Sequence, residues 1–282
     1  MNINEEELKF AIDNAKALCE EHGVNFLFVS TGGSRAYGYN EKDSDQDVTF
    51  VFYRKPLEYF TINELPNTIK HPTLDIKGYD IAKYLGIMSK SGWNVIEMLH
   101  TIPGTSGNEH TTIIEDLRRL ASKCFCPEKT ANVMANCADA SFKRFYAAQD
   151  TREQVKQLLT AARFVFSSVQ ALTERQFPYV KFRHLLQAME EDLTKVCPHI
   201  LSPCCFTSVF YTLMAARRDG SYEYIERIMP FTEMEIIISV LKDLQAYVLN
   251  NTASYNCDLK ESRALCDKFL QDFIKKEYIK TL

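Results

Sequence analysis

The segment at residues 32–47, GGSRAYGYNEKDSDQD, holds three glycines, a Ser-Arg pair and three aspartates. Glycine lets the backbone approach a ligand closely, and the free N–H groups at the start of a helix favour a bound phosphate. Gly32, Gly33 and Ser34 follow the apolar run NFLFVS and precede a short helical stretch that begins at Arg35. The Ser34 hydroxyl adds a hydrogen-bond donor. The first half of the segment is therefore a candidate phosphate-binding turn.

The second half of the segment places Asp45 and Asp47 two residues apart, at the entrance to the β-branched and aromatic run DVTFVFY. Positions i and i+2 of a strand point to the same side, so both carboxylates can meet one ion. Two like charges this close are unfavourable unless a cation lies between them, and carboxylate oxygens suit Mg²⁺ together with substrate phosphate oxygens. The spacing predicts a metal site, whereas a solvated turn is the alternative. Asp43 is expected to shape the turn with Ser44.

The elements around this segment are short and mixed. The apolar pattern predicts a helix that ends at Gly23, a short helix from Arg35, and a later helix interrupted near Ser91-Gly92. Strands are predicted at residues 25–30, 47–53 and 73–81. A polar stretch after Pro103 marks a domain boundary.

Strand signals nearly vanish after that boundary. The remaining apolar patterns predict helices at residues 111–122, 127–149, 153–175, 181–194, 203–217, 223–249 and 258–277. The predicted fold class is α+β: a small mixed-sheet domain at residues 1–105, followed by an all-helical domain at residues 106–282.

The composition restricts the class of protein. Hydrophobic residues make up 46% and charged residues 25% of 282 residues, which is typical of a globular protein with its own core. The net charge of −4 argues against a protein that coats nucleic acid non-specifically, although it allows a local basic groove. Nine cysteines without a CxxC pair give no zinc-ligand spacing. Without an apolar run of about 20 residues, we expect a cytoplasmic protein with no membrane partner.

The order strand, Gly-Ser, helical turn, Asp-x-Asp, strand resembles the polymerase-β nucleotidyltransferase superfamily. The finer pattern GSRAYGYNEKDSDQDVTFVF is similar to the predicted nucleotidyltransferase family associated with RNA ligases and RNA repair. That family's hallmark reads roughly GSRxxG…SDxDxxFV. The match falls on Gly33, Ser34, Arg35, Gly38, Ser44, Asp45, Asp47, Phe50 and Val51.

A second stretch, LDIKGYDIAKYL, also resembles the family, whose members carry an aspartate before a Gly-aromatic-Asp sequence and a lysine-bearing helix. Here the matching residues are Asp75, Gly78, Tyr79, Asp80, Lys83 and Leu85. The likeness is fainter in the helical half, where Lys156, Arg163 and Phe182 fall at matching positions. Ser141-Phe142 departs from the His-aromatic element expected before that half.

The resemblance implies a set of site residues. Asp45, Asp47 and a third carboxylate would hold Mg²⁺, with two ions expected and Mn²⁺ as an alternative. Asp75 and Asp80 compete for the third place; Asp75 is favoured, because Asp80 directly precedes an apolar helical pattern and suits an N-cap. The residues implied to bind the nucleotide are Gly33, Ser34, Arg35, Lys83, Lys156 and Arg163.

Two of these cations have alternative roles. Arg35 could instead pair with an aspartate of the site, and Lys83 could lie on a solvated helix face. Tyr37 and Tyr39 could stack on a base, but aromatic packing is the expectation we favour.

The resemblance implies transfer of NMP from an NTP, such as ATP, to an acceptor hydroxyl with release of pyrophosphate. The first hypothesis for the acceptor is RNA, either a tRNA or a broken RNA end. The alternatives are NMP transfer to a protein hydroxyl, which the acidic charge suits slightly better, and a nucleotide-binding protein without catalysis. Nothing in the sequence specifies the base of the NTP or the oligomeric state.

Overall fold

The computed structural model describes residues 5–102, 111–196, 202–255 and 257–281. The chain divides into two compact units. Unit 1 comprises Met1–Ala36, Asp45–Phe125 and Asp258–Leu282, and unit 2 comprises Tyr37–Ser44 and Cys126–Cys257. The predicted boundary at residue 105 lies within residues 103–110, outside the described residues. The division into two domains there stays a prediction.

The sheet of unit 1 has four strands, which are β1 (Asn25–Thr31), β2 (Val48–Tyr53), β3 (Thr68–Lys70) and β4 (Ile76–Asp80). Their order in the sheet is β1-β2-β4-β3. β1 pairs antiparallel with β2, β2 pairs parallel with β4, and β3 pairs antiparallel with β4. The sheet is therefore small and mixed, and the predicted α+β class is confirmed.

Helices make up most of the remaining described chain. Their bounds are α1 (Glu5–Glu21), α2 (Gly33–Tyr37), α3 (Ile81–Met88), α4 (Trp93–His100), α5 (Thr111–Cys124), α6 (Pro127–Ala147), α7 (Thr151–Glu174), α8 (Phe182–Val196), α9 (Pro203–Asp219), α10 (Tyr222–Ile228), α11 (Phe231–Thr252) and α12 (Lys260–Thr281). A 3₁₀ helix covers Pro56–Phe60. None of the described helices combines the length and the apolarity needed to cross a bilayer.

One face of the sheet packs against α1. The core there contains Phe50 and Ile76 from the strands and Ala15 from α1. Gly78 lies opposite Phe50 in the β2–β4 pair, and a Cβ at Gly78 would stand 2.3 Å from the Phe50 ring. Glycine at this position therefore lets the Phe50 ring lie across β4.

The opposite face carries the alternate residues of the same strands. Phe28 of β1 contacts Tyr84 of α3 edge-on there, with 5.7 Å between ring centroids. Thr49 of β2 lies beside Lys77 of β4. Because side chains alternate along a strand, Asp47 and Asp75 are directed to this same face.

Three local elements differ from the sequence-based expectation. The third predicted strand, at 73–81, is shorter, because a turn precedes it in which His71 Nδ1 accepts the N–H groups of Thr73 and Leu74. Strand β3 was not predicted, since three residues give little periodicity. The helix predicted at 223–249 is two helices, α10 and α11, because Pro230 disfavours helical backbone at the residue before it.

Unit 2 has an aromatic core. Phe182 of α8 stacks on Phe166 of α7, and both rings meet Phe210 of α9 edge-on. These contacts account for the buried face of the long helix α7. The cysteines of both units are free thiols throughout the described ranges.

Candidate active site

Three sequence segments meet at one edge of the sheet in unit 1. β1 ends there, whereas β2 and β4 begin there, because β1 is antiparallel to β2 and β2 is parallel to β4. The Gly32 N–H donates to the Asp47 carbonyl at 2.8 Å, and the Val48 N–H donates to the Asp75 carbonyl at 2.9 Å. We call this the carboxylate edge, defined by Gly33, Asp45, Asp47 and Asp75.

The Asp47 carboxylate lies directly against the backbone of Gly33. A Cβ at Gly33 would stand 1.5 Å from Asp47 Oδ2, which no side chain can occupy. Gly33 also has a φ of +63°, in the left-handed region that non-glycine residues avoid. At Gly32 a Cβ would stand 3.6 Å from the Asp47 Cβ, an ordinary contact. Glycine is thus needed at position 33 and not at position 32.

The carboxyl groups at this edge interact with one another. Burial raises the pKa of Asp47 to about 6, with further contributions from a hydrogen bond to Asp75 and from the negative charges of Asp75 and Asp45. The Lys77 cation opposes this rise. Asp45 and Asp75 are exposed, whereas Asp47 is half-buried. The edge therefore concentrates negative charge where a ligand can reach it.

The donor set at the carboxylate edge fits a hard cation. Its three carboxyl groups offer only oxygen ligands, which Mg²⁺ prefers. The raised pKa of Asp47 means that its carboxyl group binds a proton readily, and a bound cation would replace that proton. Within the described ranges, no three His, Cys, Asp or Glu side chains lie close enough together to hold a metal ion by themselves. Mg²⁺ commonly takes one or two carboxylates plus substrate phosphate oxygens, so a closed protein cage is not required.

Asp80, the competitor of Asp75, lies at the other end of β4. The five residues of this strand span about 16 Å. Asp80 Oδ1 accepts the Ala82 N–H at 2.8 Å, and Oδ2 accepts the Tyr59 hydroxyl at 3.1 Å. Arg54 Nε lies 3.8 Å from Oδ2. The predicted N-cap role of Asp80 is confirmed.

Arg35 and Ser34 follow Gly33 on α2. Arg35 Nη1 donates to Glu7 Oε1 at 2.6 Å, so Arg35 forms an ion pair with α1. Gln46 Nε2 donates to the Glu7 carbonyl at 2.8 Å, which ties the aspartate segment to the same helix. The Ser34 hydroxyl has no hydrogen-bond partner in the described part of the chain and is half-buried.

Lys83 is not brought to the carboxylate edge. Its ammonium group donates to Asn67 Oδ1 at 3.0 Å and to Thr68 Oγ1 at 2.6 Å, beyond the far end of β4. Lys77 is the lysine near the carboxylates, and it was missed. It follows Asp75 by two residues, so the alternation that paired Asp45 with Asp47 would have identified it.

Lys156 and Arg163 belong to unit 2. Lys156 is exposed and pairs with Glu153 at 3.3 Å. Arg163 is only 2% exposed, and its guanidinium lies 3.4 Å from the centroid of the Tyr37 ring. Tyr39, which is buried, contacts Phe182 edge-on at 5.7 Å. The expected aromatic packing of the two tyrosines is confirmed.

The middle of the sequence motif is anchored within unit 2. Glu41 binds Arg152 and accepts the Tyr222 hydroxyl at 2.6 Å, while Arg217 Nε lies 3.6 Å away. These partners lower the pKa of the Glu41 carboxyl despite its burial. Asp43 is exposed and also pairs with Arg152, at 3.2 Å. The turn predicted for Asp43 and Ser44 is closed by the Ser44 hydroxyl, which accepts the Glu41 N–H at 2.8 Å.

Comparisons with known proteins identify the family of the chain. Residues 10–201 match the profile of RlaP, described as the RNA repair pathway DNA polymerase beta family. The uncharacterized protein YcgL of Bacillus subtilis (strain 168) is 27% identical over 250 residues, which cover 87% of this chain and 92% of that protein. The family match includes the glycine turn and every aspartate of the carboxylate edge. The chain belongs to the RNA repair pathway DNA polymerase beta family.

Proposed function

We propose that this chain transfers a nucleoside monophosphate from an NTP to an acceptor hydroxyl on RNA, with Mg²⁺ as its cofactor. The observation that carries the proposal is the meeting of Gly33, Asp47 and Asp75 at one edge of the sheet. The family description, which names an RNA repair pathway, supports RNA as the class of acceptor.

In this proposal the turn at Gly33 and Ser34 binds the triphosphate. The Ser34 hydroxyl is available as a donor, and Gly33 allows the Asp47 carboxylate to lie directly beside the turn. Asp45 and Asp47 lie beside the turn and would hold the cation there. Mg²⁺, when bound, supplies positive charge that stabilises the attacking and leaving oxygens. The contribution of the chain is mainly the positioning of reactants.

Asp75 acts as the general base. The oxygen of the acceptor hydroxyl attacks the α-phosphorus, the bond between the α- and β-phosphates breaks, and pyrophosphate leaves. The hydroxyl proton passes to the Asp75 carboxylate, which is exposed and so can be reached by a large acceptor. The Asp80 carboxylate cannot take this role for two reasons. It lies about 16 Å away, at the other end of β4. Both of its oxygens already accept hydrogen bonds within the protein.

The proposal is tested with each α-³²P-labelled NTP and Mg²⁺, together with total RNA or total protein from the host. We expect label in RNA with one NTP. We expect its loss in Asp47→Asn, while Asp43→Asn retains transfer, because Asp43 is exposed and bonded to Arg152.

The other outcomes each exclude a part of the proposal. Label in a protein band would replace RNA by a protein acceptor. Mg²⁺-dependent NTP binding without transfer to either extract would favour a nucleotide-binding protein. Absence of both transfer and Mg²⁺-dependent binding would overturn the catalytic interpretation of the carboxylate edge.

A further inference from the structure

The far end of β4 borders a cavity of about 820 Å³ within unit 1. Residues of α3 line one side of it, and residues of α12 line the other. We call it the basic cavity. Its charged lining residues are Lys83, Lys90, Lys260, Arg263, Asp80 and Asp267. A cavity of this volume is typical of sites for ligands of nucleotide size.

The charge in this cavity is opposite in sign to that of the whole chain. Four lining residues are cationic and two are acidic, but the Asp80 charge is already balanced by Arg54. Only Asp267 remains to oppose the four cations. The chain as a whole carries a net charge of −4. A local excess of positive charge lined by low-dielectric protein attracts an anion.

The cations of the basic cavity are available to a ligand. Some exposed cations elsewhere in the chain pair with a nearby carboxylate, as Lys9 does with Asp13 and Lys280 with Glu277. By contrast, within residues 5–102 and 257–281 the side chains of Lys90, Lys260 and Arg263 form no ion pair, and all three are exposed. Lys83 is held in place by Asn67 and Thr68.

Apolar residues complete the lining. Leu85 and Ile87 come from α3, while Leu259 and Leu270 come from the α12 side. An inorganic anion would contact the cations alone and leave this apolar surface to water. A nucleoside phosphate would use both, with its phosphate against the cations and its base against the aliphatic side chains.

We propose that the basic cavity binds a nucleoside phosphate, either as a free nucleotide or as a nucleotide of an RNA strand. It is a second site in unit 1, separated from the carboxylate edge by the length of β4. Binding there requires no catalytic aspartate and no metal. The proposal therefore stands or falls independently of the transfer reaction.

Two probes are used in EDTA, which removes metal-dependent binding at the carboxylate edge. The first is a short single-stranded RNA labelled with fluorescein, followed by fluorescence anisotropy. The second is AMP, followed by calorimetry and by its ability to displace the RNA. The test variant is Lys260→Glu/Arg263→Glu. The matched control is Lys268→Glu/Lys275→Glu, which makes the same change in charge on the same helix at residues outside the cavity lining.

We expect Lys260→Glu/Arg263→Glu to weaken binding at least tenfold, and to reduce the slope of log affinity against log salt by about 1.4 for two lost phosphate contacts. The control should stay within about twofold, since its cations contact no bound phosphate. Circular dichroism should give both variants the thermal unfolding of the parent chain. Asp47→Asn should bind both probes as tightly as the parent.

The competition result identifies the source of the ligand. Displacement of RNA by AMP would assign the cavity to a single nucleotide, whereas RNA binding unaffected by AMP would assign it to a strand. If the test and control variants lose affinity equally, the loss comes from the change in net charge and not from the basic cavity, and the proposed site is wrong. Failure of the parent chain to bind either probe would overturn it as well.

Discussion

An aspartate and a lysine lie near each end of strand β4, but the two aspartates differ in exposure and in hydrogen bonding. Asp75 and Lys77 lie at the beginning of the strand, and Asp80 and Lys83 lie at its end. At the first end Asp45 and Asp75 are accessible, and burial, together with these two neighbouring carboxyl groups, raises the pKa of Asp47. At the second end Asp80 is 4% exposed, and each of its oxygens has a donor.

This difference separates a carboxylate that stabilises the fold from carboxylates available for chemistry. Asp80 begins α3 and holds Tyr59, so its hydrogen-bonding capacity is used within the protein. Asp47, Asp75 and Asp45 repel one another instead, and a bound cation would relieve that repulsion. Perturbed carboxyl groups of this kind cluster at functional sites. The first two predictions test this separation directly.

The largest expected effect comes from exchanging the two aspartates for alanine in turn. Asp75→Ala should lower nucleotidyl transfer about 10³-fold, the usual scale for loss of a general base, and leave the fold intact. Asp80→Ala should leave transfer within a few-fold. It should cost about 1 kcal/mol of stability for the lost helix cap, and more because Tyr59 and Arg54 lose their acceptor. Transfer assays and urea unfolding measure the two properties.

The comparison fails if the two losses are reversed. If Asp75→Ala keeps its activity, Asp75 is not the general base. If Asp80→Ala is stable but inactive, Asp80 and not Asp75 is the third carboxylate of the site.

The glycine turn gives the next largest effect. Gly33→Ala places a methyl group where Asp47 Oδ2 lies and forces alanine into the left-handed region, a strain of about 1–2 kcal/mol. We expect Mg²⁺-dependent NTP binding to weaken at least 100-fold, because Asp47 must move. Gly32→Ala makes the same chemical change with an ordinary contact, and it should bind within about threefold of the parent. Equal effects at the two glycines would show that the contact with Asp47 is not what matters.

The sequence was sufficient to predict much of the first unit. Alternation and apolar runs located β1 and β2, and the Asp-x-Asp spacing identified the two carboxylates that directly precede β2. The pairing that brings Asp75 to Asp47 depends on which strands are neighbours, and local periodicity does not carry that information. For the same reason β4 and α3 could be predicted in order, while the sequence left open whether Lys83 contacts phosphate or lies on a solvated helix face.

Long-range packing accounts for what the sequence did not indicate. The pattern at 258–277 predicts a helix, and α12 is one, but its grouping with the sheet in unit 1 is decided by tertiary contacts. The basic cavity between α3 and α12 could therefore not be predicted from the sequence, because most of the chain separates its cations. Arg163 also shows this limit, because its burial against Tyr37 follows from packing and not from its spacing to Lys156.

The raised pKa of Asp47 predicts a pH dependence at the carboxylate edge. Its carboxyl titrates near pH 6 in the folded chain and near 3.9 in the unfolded chain. Protonation at low pH therefore favours the folded state, and this contribution is lost as the pH rises from about 4 to about 6. Metal-free protein should lose stability over this window in urea unfolding, while Asp47→Asn should lose less. Mg²⁺ affinity should fall below pH 6, where the cation competes with the proton. Identical pH profiles for the two proteins would contradict this assignment.

The smallest expected effect comes from the two lysines, and it decides which end of β4 meets the nucleotide. Lys77→Gln removes the cation that holds down the Asp47 pKa, so Mg²⁺-dependent NTP binding at pH 6 should weaken about threefold, the scale of an exposed ion pair. Lys83→Gln loses its hydrogen bonds to Asn67 and Thr68, but position 83 does not contact the carboxylate edge, so its NTP affinity should equal that of the parent.

Calorimetry at pH 6 and pH 8 measures the NTP affinity of both variants. The effect of Lys77→Gln should shrink at pH 8, where Asp47 is ionised in either protein. If Lys83→Gln weakens NTP binding as much as Lys77→Gln does, the nucleotide extends along β4, and the separation of its two ends is wrong.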